Sequence, residues 1–261
     1  MSDIWAVVPV KEIDGAKHRL SAFLAPDQRQ ILAAAMLRDV IRALVAVPEL
    51  AGILVVTLDP HATELCRALG VRVVTEGARD GHTGAVEAGG RVLVAEKRGG
   101  MLTVPGDIPR IQTDEVSAFL AIHLPGPSFT IAPAHDELGS NAILLSPPDA
   151  VPLRFGEDSY FPHLNAARQA GIEPTIMRLP GIGMDIDHPG DLVSFLRMEP
   201  RIETETLVYL ESSGLAERLL REFSGAAEII QAQIPTTEAE FGSDPCKVNR
   251  TQDTPKRLGR R

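Results

Sequence analysis

The sequence predicts an α/β fold with a mixed, mainly parallel sheet flanked by helices. Three observations lead to this prediction. Short apolar segments, such as residues 4–10 and 52–58, are almost free of polar side chains, as is typical of strands that are buried on both faces. These segments alternate with longer amphipathic segments of helical period. Glycine and proline mark most of the boundaries between them. Strands that alternate with helices favour parallel pairing with right-handed crossovers.

The predicted elements follow one another along the whole chain. Strands are predicted over residues 4–10, 52–58, 71–75, 101–104, 128–133, 141–145 and 175–179. Helices are predicted over residues 26–47, 62–69, 84–97, 114–122, 159–169 and 189–196, with one further amphipathic helix within 203–223. We therefore expect a domain over residues 1–203 and an accessory helix over 204–224. Residues 225–261 have few large apolar side chains, and we expect a flexible or weakly docked tail there.

The composition limits the class of function. The net charge is −9 and the pI is about 5.3, which argues against nucleic acid as a main partner. No apolar run approaches the ~18 residues of a membrane span. The first residues lack the pattern of a signal peptide, and Cys66 and Cys246 have no metal-ligand spacing. We therefore expect a cytoplasmic protein without a membrane partner. The oligomeric state stays open, with a homodimer as one alternative.

Asp185 and Asp187 are candidate metal ligands. They lie two residues apart in M-D-I-D-H-P, which we interpret as the end of a strand, so both side chains would share one face. Asp107 also follows an apolar strand, in V-P-G-D-I-P. Such acids can hold Mg²⁺ when phosphate and water supply the other ligands. The alternatives are that Asp187 caps the helix that begins at Pro189 and that Asp107 caps a helix or a turn.

A basic loop with Lys11, Lys17 and Arg19 directly follows the first predicted strand. Lysine offers a point charge and arginine a bidentate fork, so this loop could wrap a nucleoside triphosphate. It is not a Walker A loop, because the G-x-x-x-x-G-K-[ST] pattern is absent. The alternative is an ordinary solvated loop.

Two further segments are candidate anion sites. Ser140 lies in a Gly-Ser-Asn turn, and Gly156 and Ser159 lie where a helix is predicted to begin. Backbone N–H groups at such positions can bind a phosphate or a carboxylate. The alternatives are a plain turn and a plain helix cap at Ser159. We interpret His163, one turn inside that helix, as a packing residue.

Five of these segments together resemble the 2-phospho-L-lactate guanylyltransferase family of coenzyme F-420 biosynthesis. The segments run in order through residues 8–192, namely V-P-V-K…A-K-H-R-L, V-P-G-D-I-P, G-S-N-A-I-L-L, F-G-E-D-S-Y…H and D-I-D-H-P-G-D-L. Members of that family use GTP and 2-phospho-L-lactate, phosphoenolpyruvate or 3-phosphoglycerate. One segment departs from the family, because residues 81–85 are G-H-T-G-A where G-L-N-A-A is usual, with Thr83 in the position of the asparagine.

The resemblance implies a nucleotidyltransferase of the glycosyltransferase-A-like fold that binds Mg²⁺, GTP and a small phosphorylated carboxylic acid. It implies metal binding by Asp107, Asp185 and Asp187, with Lys17 as a further catalytic residue. It implies nucleotide binding by Pro9, Val10, Lys11, Lys17, Arg19, Gly81, Thr83 and Pro105. It implies phospho-acid binding by Ser140, Gly156 and Ser159. Two alternatives stay open: a molybdopterin- or sugar-type nucleotidyltransferase of the same fold, and a nucleotide-binding protein without catalytic activity.

Overall fold

A computed structural model describes residues 3–13, 15–156 and 158–231. Within them the strands are β1 (Ile4–Pro9), β2 (Gly52–Val56), β3 (Arg72–Val74), β4 (Gly100–Thr103), β5 (Ser128–Pro133), β6 (Ser140–Ser146) and β7 (Thr175–Ile176). The α-helices are α1 (Pro26–Val45), α2 (Pro60–Ala68), α3 (Gly81–Ala95), α4 (Thr113–Ala121), α5 (Tyr160–Gln169), α6 (Pro189–Arg197), α7 (Glu205–Ser212) and α8 (Leu215–Gln231). A 3₁₀ turn covers His18–Leu20.

The strands form one sheet in the order β3-β2-β1-β4-β6-β5-β7. Strand β1 is parallel to β2 and β4, and β3 is parallel to β2. Strand β6 runs antiparallel to both of its neighbours, β4 and β5, and β7 is parallel to β5. The predicted mixed, mainly parallel sheet is therefore confirmed. Pro9 is paired with Val56, and Val56 with Val74, so the parallel strands end at a common edge where ligands bind in such sheets.

Helices cover both faces of the sheet. Helices α1, α2 and α4 pack on the face that Ala6 and Val8 present, and α3 and α5 pack on the face that Val7 presents. This double burial explains why β1 is apolar at successive positions. Gly89 lets α3 approach the sheet closely, because a Cβ atom there would lie 2.5 Å from Cγ1 of Val7. A glycine that weakens the helix in isolation is therefore required for its packing.

A third apolar cluster joins the outer side of α1 to the C-terminal helices. Leu32 and Met36 of α1 pack in it with Leu207 and Leu210 of α7. Ile186 is also fully buried there. Because Ile186 lies between Asp185 and Asp187, its burial anchors the acidic segment against the helices.

The prediction that Asp185 and Asp187 end a strand is wrong. Residues 184–187 have no strand structure, because a turn at residues 181–183 and the start of α6 at Pro189 leave too little chain between them. One backbone hydrogen bond, from Ile186 N to Asp107 O at 3.1 Å, attaches the segment to the loop after β4. This bond brings the two predicted acidic segments side by side.

The C-terminal part contains two helices where the pattern predicts one. Gly214, with φ at 72°, separates α7 from α8. Residues 1–224 form one compact unit, and residues 225–231 of the described chain do not belong to it. Helix α8 continues to Gln231, through residues predicted to belong to the tail, and residues 232–261 lie outside the described part of the chain. None of the described helices is long and apolar enough to cross a membrane.

Candidate active site

A cavity of about 880 Å³ opens at the carboxyl ends of β1 and β4. The loop after β1, the start of α3 and the loop after β4 line it. Most of the residues predicted to bind a nucleotide lie on its wall, namely Pro9, Val10, Lys11, Lys17, Arg19, Gly81 and Pro105. Asp107 and Asp187 also lie on this wall. The sheet edge thus brings together segments that are distant in sequence.

Lys17 bridges two of the predicted acids. Its Nζ atom donates to Oδ2 of Asp107 at 2.6 Å and to Oδ1 of Asp187 at 2.9 Å. Burial by itself would lower the pKa of Lys17, but the two carboxylates raise it above its ordinary value, so the ammonium group stays charged. Arg19 donates to the other oxygen of Asp187 at 3.1 Å. Burial would raise the pKa of Asp187, but Lys17 and Arg19 hold it below its ordinary value.

Asp187 does not cap α6. The N-cap residue of α6 is His188, and Oδ2 of Asp191 accepts the backbone N–H groups of Asp187 and His188, at 2.9 Å and 2.6 Å. The carboxylate of Asp187 therefore faces the basic loop. Asp107 likewise directs its carboxylate to Lys17. The capping alternative is therefore excluded for Asp187. Asp107 and Asp187 instead share the ammonium group of Lys17.

Asp185 lies in a different environment from the other two acids. Its Oδ1 accepts from Nδ2 of Asn141 at 3.1 Å, and Nδ1 of His135 is 3.9 Å away. Burial raises the pKa of Asp185, the hydrogen bond from Asn141 lowers it, and the charges of Asp107 and Asp187 add to the increase. Among the ion pairs of the described residues, none joins Asp185 to a lysine or an arginine. Of the three predicted acids, Asp185 is therefore the one without a lysine or arginine partner among the described residues.

The arrangement of the three acids can be compared with the ligands that Mg²⁺ needs. Within the described residues, no three histidine, cysteine, aspartate or glutamate side chains are arranged as a metal-holding group. The ammonium group of Lys17 instead lies between Asp107 and Asp187. Mg²⁺ usually takes only one or two carboxylates from a protein, together with phosphate oxygens and water. The uncompensated charge of Asp185 next to Asp107 and Asp187 fits a cation that would arrive with a triphosphate.

Ser140 and Ser159 form a separate polar group with His163. Oγ of Ser140 lies 2.9 Å from Nδ1 of His163 and 3.4 Å from Oγ of Ser159. Ser159 occupies the N-cap position of α5, as the cap alternative expects, but its side chain makes no capping hydrogen bond. His163 packs as predicted, but it also contacts Ser140 directly. Gly156 lies outside this group, in the exposed turn before α5.

His82 and Phe155 connect the cavity wall to this serine group through ring contacts. His82 lines the cavity, and its ring centroid is 4.4 Å from that of Phe155. The ring of Phe155 in turn lies 5.0 Å from that of His163. Thr83 is not among the cavity-lining residues, because its Oγ1 accepts from the backbone N–H of Phe155 at 3.0 Å. Thr83, which the resemblance implies at the nucleotide, holds the Phe155 loop in this structure.

Three residues of the site were missed from the sequence. Asp59 has a buried carboxylate that accepts from Ile13 N and from Ala62 N, both at 2.8 Å, so it caps α2 and fixes the basic loop. Asn141, which donates to Asp185, lies in the G-S-N-A-I-L-L segment, so its position beside Ser140 is a signal in the sequence. His82 has no distinguishing pattern around it. The cap of Asp59 on Ala62 is local in sequence, whereas the contact of Asp59 with Ile13 and the ring contact of His82 depend on the tertiary fold.

The comparison with known proteins agrees with this geometry. The family model described as "Guanylyl transferase CofC like" matches residues 4–230. A phosphoenolpyruvate guanylyltransferase from Rubrobacter xylanophilus is 40% identical over 189 residues, which cover 72% of this chain and 91% of the relative. A 3-phospho-D-glycerate guanylyltransferase from Colwellia psychrerythraea is 33% identical, with 71% and 88% covered. A 2-phospho-L-lactate guanylyltransferase from Methanothermobacter thermautotrophicus is 33% identical, with 72% and 81% covered.

Solved structures share the fold at low sequence identity. A protein assigned as a nucleotide-diphospho-sugar transferase from Desulfovibrio desulfuricans G20 aligns with a TM-score of 0.67 at 19% identity, over 85% of this chain and 99% of that one. A nucleotidyl transferase from Methanothermobacter thermautotrophicus aligns with a TM-score of 0.51 at 20% identity, over 73% and 94%. The predicted nucleotidyltransferase fold of the glycosyltransferase-A-like type is confirmed. The chain is a nucleotidyltransferase that belongs to the guanylyl transferase family described as CofC-like.

Proposed function

We propose that this protein transfers GMP from GTP to a small phosphorylated carboxylic acid and releases pyrophosphate, as a step in coenzyme F-420 biosynthesis. The observation that carries the proposal is the bridge from Lys17 to Asp107 and Asp187 on the wall of the 880 Å³ cavity. The names of the relatives supply three candidate acceptors, phosphoenolpyruvate, 3-phosphoglycerate and 2-phospho-L-lactate.

The cavity suits a nucleoside triphosphate. Lys11, Lys17 and Arg19 line one side of it, and their charges would neutralise the phosphates. Gly81 lies at the start of α3 on the same wall, where free backbone N–H groups and the helix dipole favour an anion. These basic groups and helix N–H groups give an anionic substrate local partners on a chain whose net charge is −9.

Asp185 would hold Mg²⁺ together with phosphate oxygens of the nucleotide. Asp107 and Asp187, which contact Lys17, would complete the acidic set beside the ion. The ion, when bound, would neutralise charge that develops on the departing pyrophosphate. Lys17 is held between Asp107 and Asp187, and its ammonium group would donate to the triphosphate from that side of the cavity. Asn141 keeps Asp185 oriented through its amide hydrogen bond.

The acceptor brings its own nucleophile. A phosphate oxygen of the acid forms a bond to the α-phosphorus of GTP while the bond from that phosphorus to the bridging oxygen breaks and pyrophosphate leaves. The attacking phosphate is already an anion near pH 7, so the reaction needs no general base. The protein therefore acts by positioning and by charge neutralisation. Ser140 and Ser159 supply hydroxyl groups for the acid.

Mass spectrometry of the products tests this function. The protein is incubated with GTP, Mg²⁺ and the three acids in equal amounts, and the same mixture is run with ATP or CTP in place of GTP. We expect one GMP adduct to dominate, with an equal amount of pyrophosphate. An adduct that forms only with another nucleotide, or GTP binding without any adduct, would contradict the proposal.

A further inference from the structure

His163 is buried at the back of the serine group and makes two polar contacts. Its side chain is 1% exposed. Nδ1 lies 2.9 Å from Oγ of Ser140, and Nε2 accepts the backbone N–H of Arg154 at 3.0 Å. The ring also meets the edge of the Phe155 ring. Both ring nitrogens are therefore engaged, and each contact limits where the imidazole can carry a proton.

The contact with Arg154 determines the protonation of the ring. A backbone N–H can only donate, so Nε2 must be without a proton. The remaining proton of a neutral imidazole then lies on Nδ1, which must donate to Oγ of Ser140. A doubly protonated ring would place two donors against each other at Nε2. Burial, with a smaller effect of His82, lowers the pKa of His163 to about 4, which agrees with a neutral ring.

This donation constrains the two serine hydroxyls. Oγ of Ser140 accepts from His163, so the Ser140 proton cannot point at the ring. If Ser159 also donates to Ser140, the Ser140 proton is free for a ligand. If Ser140 donates to Ser159 instead, the Ser159 proton is free. In both arrangements the pair retains one hydroxyl proton that no member of the group uses, and a hydrogen-bond donor of this kind suits an anion.

We propose that His163 is a positioning residue that turns the Ser140–Ser159 pair into a hydrogen-bond donor for an anionic group of the phosphorylated acid. This inference rests on the proposed function, because it concerns how that second substrate is recognised. His163 acts through Ser140 and does not touch the acid itself. The signal in the sequence is the histidine four positions after Ser159, which periodicity alone assigns to packing.

Two substitutions separate positioning from packing. In His163→Asn the side-chain amide ends at the δ position and can still donate to Ser140. In His163→Gln the amide ends at the ε position, where it can accept from Arg154 N but cannot donate to Ser140. We expect His163→Gln to raise the KM for the acid about 10- to 100-fold, the range for one hydrogen bond to a charged group. We expect His163→Asn to stay within about 3-fold of wild type, and neither to change the KM for GTP.

Two controls accompany the kinetics. His123→Gln alters another partly buried histidine with hydroxyl partners, outside the cavity-lining residues, and should leave both KM values unchanged. In the double variant His163→Gln/Ser140→Ala, the loss should be no larger than in Ser140→Ala alone, because both changes remove the same interaction. Equal effects of the asparagine and glutamine variants, additive losses, or a parallel rise in the KM for GTP would overturn the proposal.

The tautomer of His163 gives a readout that needs no activity. ¹⁵N NMR of the full chain near pH 7 should find the proton of this ring on Nδ1, and a proton on Nε2 would overturn the proposal even if the variants fail to fold. If the wild-type protein forms no product with any of the three acids, the proposed function fails. The tautomer then still tests the arrangement of His163 and Ser140, so the two failures can be told apart.

Discussion

The Nζ atom of Lys17 lies 2.6 Å from Oδ2 of Asp107, although 90 positions separate the two residues in the chain. The backbone of Lys17 has a left-handed conformation, with φ at 55°. A non-glycine residue in that conformation requires support from its surroundings. The contacts with Asp107 and Asp187 give this support and fix the ammonium group at the cavity wall.

Replacement of Lys17 by methionine should reduce turnover. The variant keeps most of the side-chain volume but removes the charge, so we expect kcat to fall about 10²- to 10³-fold, as for other groups that stabilise a charged transition state. Lys97→Met is a matched control, because Lys97 has a similar backbone conformation, with φ at 58°, and is exposed. Pyrophosphate release from GTP measures both variants. If Lys17→Met and Lys97→Met release pyrophosphate at the same rate, Lys17 has no role in the mechanism.

Asp59→Ala should weaken both folding and nucleotide binding. The variant removes the cap of α2 and leaves Ile13 N without its acceptor, so the free energy of unfolding should fall by about 1–3 kcal/mol. The freed basic loop should raise the KM for GTP. Thr204→Ala removes the cap of α7, which Leu207 N uses. Urea unfolding should show a lower stability in both variants, but only Asp59→Ala should raise the KM for GTP. A raised KM for GTP in Thr204→Ala as well would contradict this account.

Glu115 should be required for the position of the acidic segment. Its carboxylate accepts Gly181 N at 2.7 Å and Ile182 N at 3.1 Å, at the turn that precedes Asp185. Glu115→Ala leaves both donors unpaired, so we expect a loss of about 2–4 kcal/mol in stability and a fall in kcat. Glu115→Gln keeps one acceptor and should lie between the alanine variant and wild type. Stability by urea unfolding and turnover by pyrophosphate release test this order.

His123 should make the protein less stable in acid. Burial lowers its pKa to about 4 from an ordinary value of 6.5. Between these values the unfolded chain binds a proton that the folded chain does not, so the free energy of unfolding falls as the pH decreases from 6.5 to 4. The slope is at most about 1.4 kcal/mol per pH unit for one group.

A pH series of urea unfolding measures this slope. His123→Gln removes one of the titrating groups and should reduce the slope, while His82 and His163, whose pKa values burial also lowers to about 4, keep the remainder. His61→Gln, at an exposed position, should leave the slope unchanged. If the slope of His123→Gln equals that of wild type, the histidine is not the source of the acid sensitivity.

The sheet and its ligand edge could be predicted because they depend on periodicity that is local in sequence. Buried strands such as β1 are recognisable from their apolar runs, and the carboxyl edge follows from the parallel topology. The acids were correctly grouped at that edge, but not as members of strands. Ile186 instead anchors them through its burial in the third cluster.

The details of the cavity wall could not be predicted in the same way. Helix α3 begins at Gly81 and not at residue 84, which changes the direction of every side chain in its first turn. As a result His82 lines the cavity, and Thr83 binds the backbone of Phe155. The contacts of Lys17 with Asp107 and Asp187 depend on loops that meet only in the folded chain.

The most direct test of the central claim is pyrophosphate release from GTP by Asp185→Asn at saturating phosphorylated acid over a range of Mg²⁺ concentrations. The change keeps the shape of the side chain and removes the charge that has no compensating cation. Asp136→Asn, at an exposed position, is the matched control. We predict that Asp185→Asn loses about 10²- to 10³-fold in kcat and needs more Mg²⁺ for half-maximal rate. Turnover and Mg²⁺ dependence equal to those of Asp136→Asn would contradict the account.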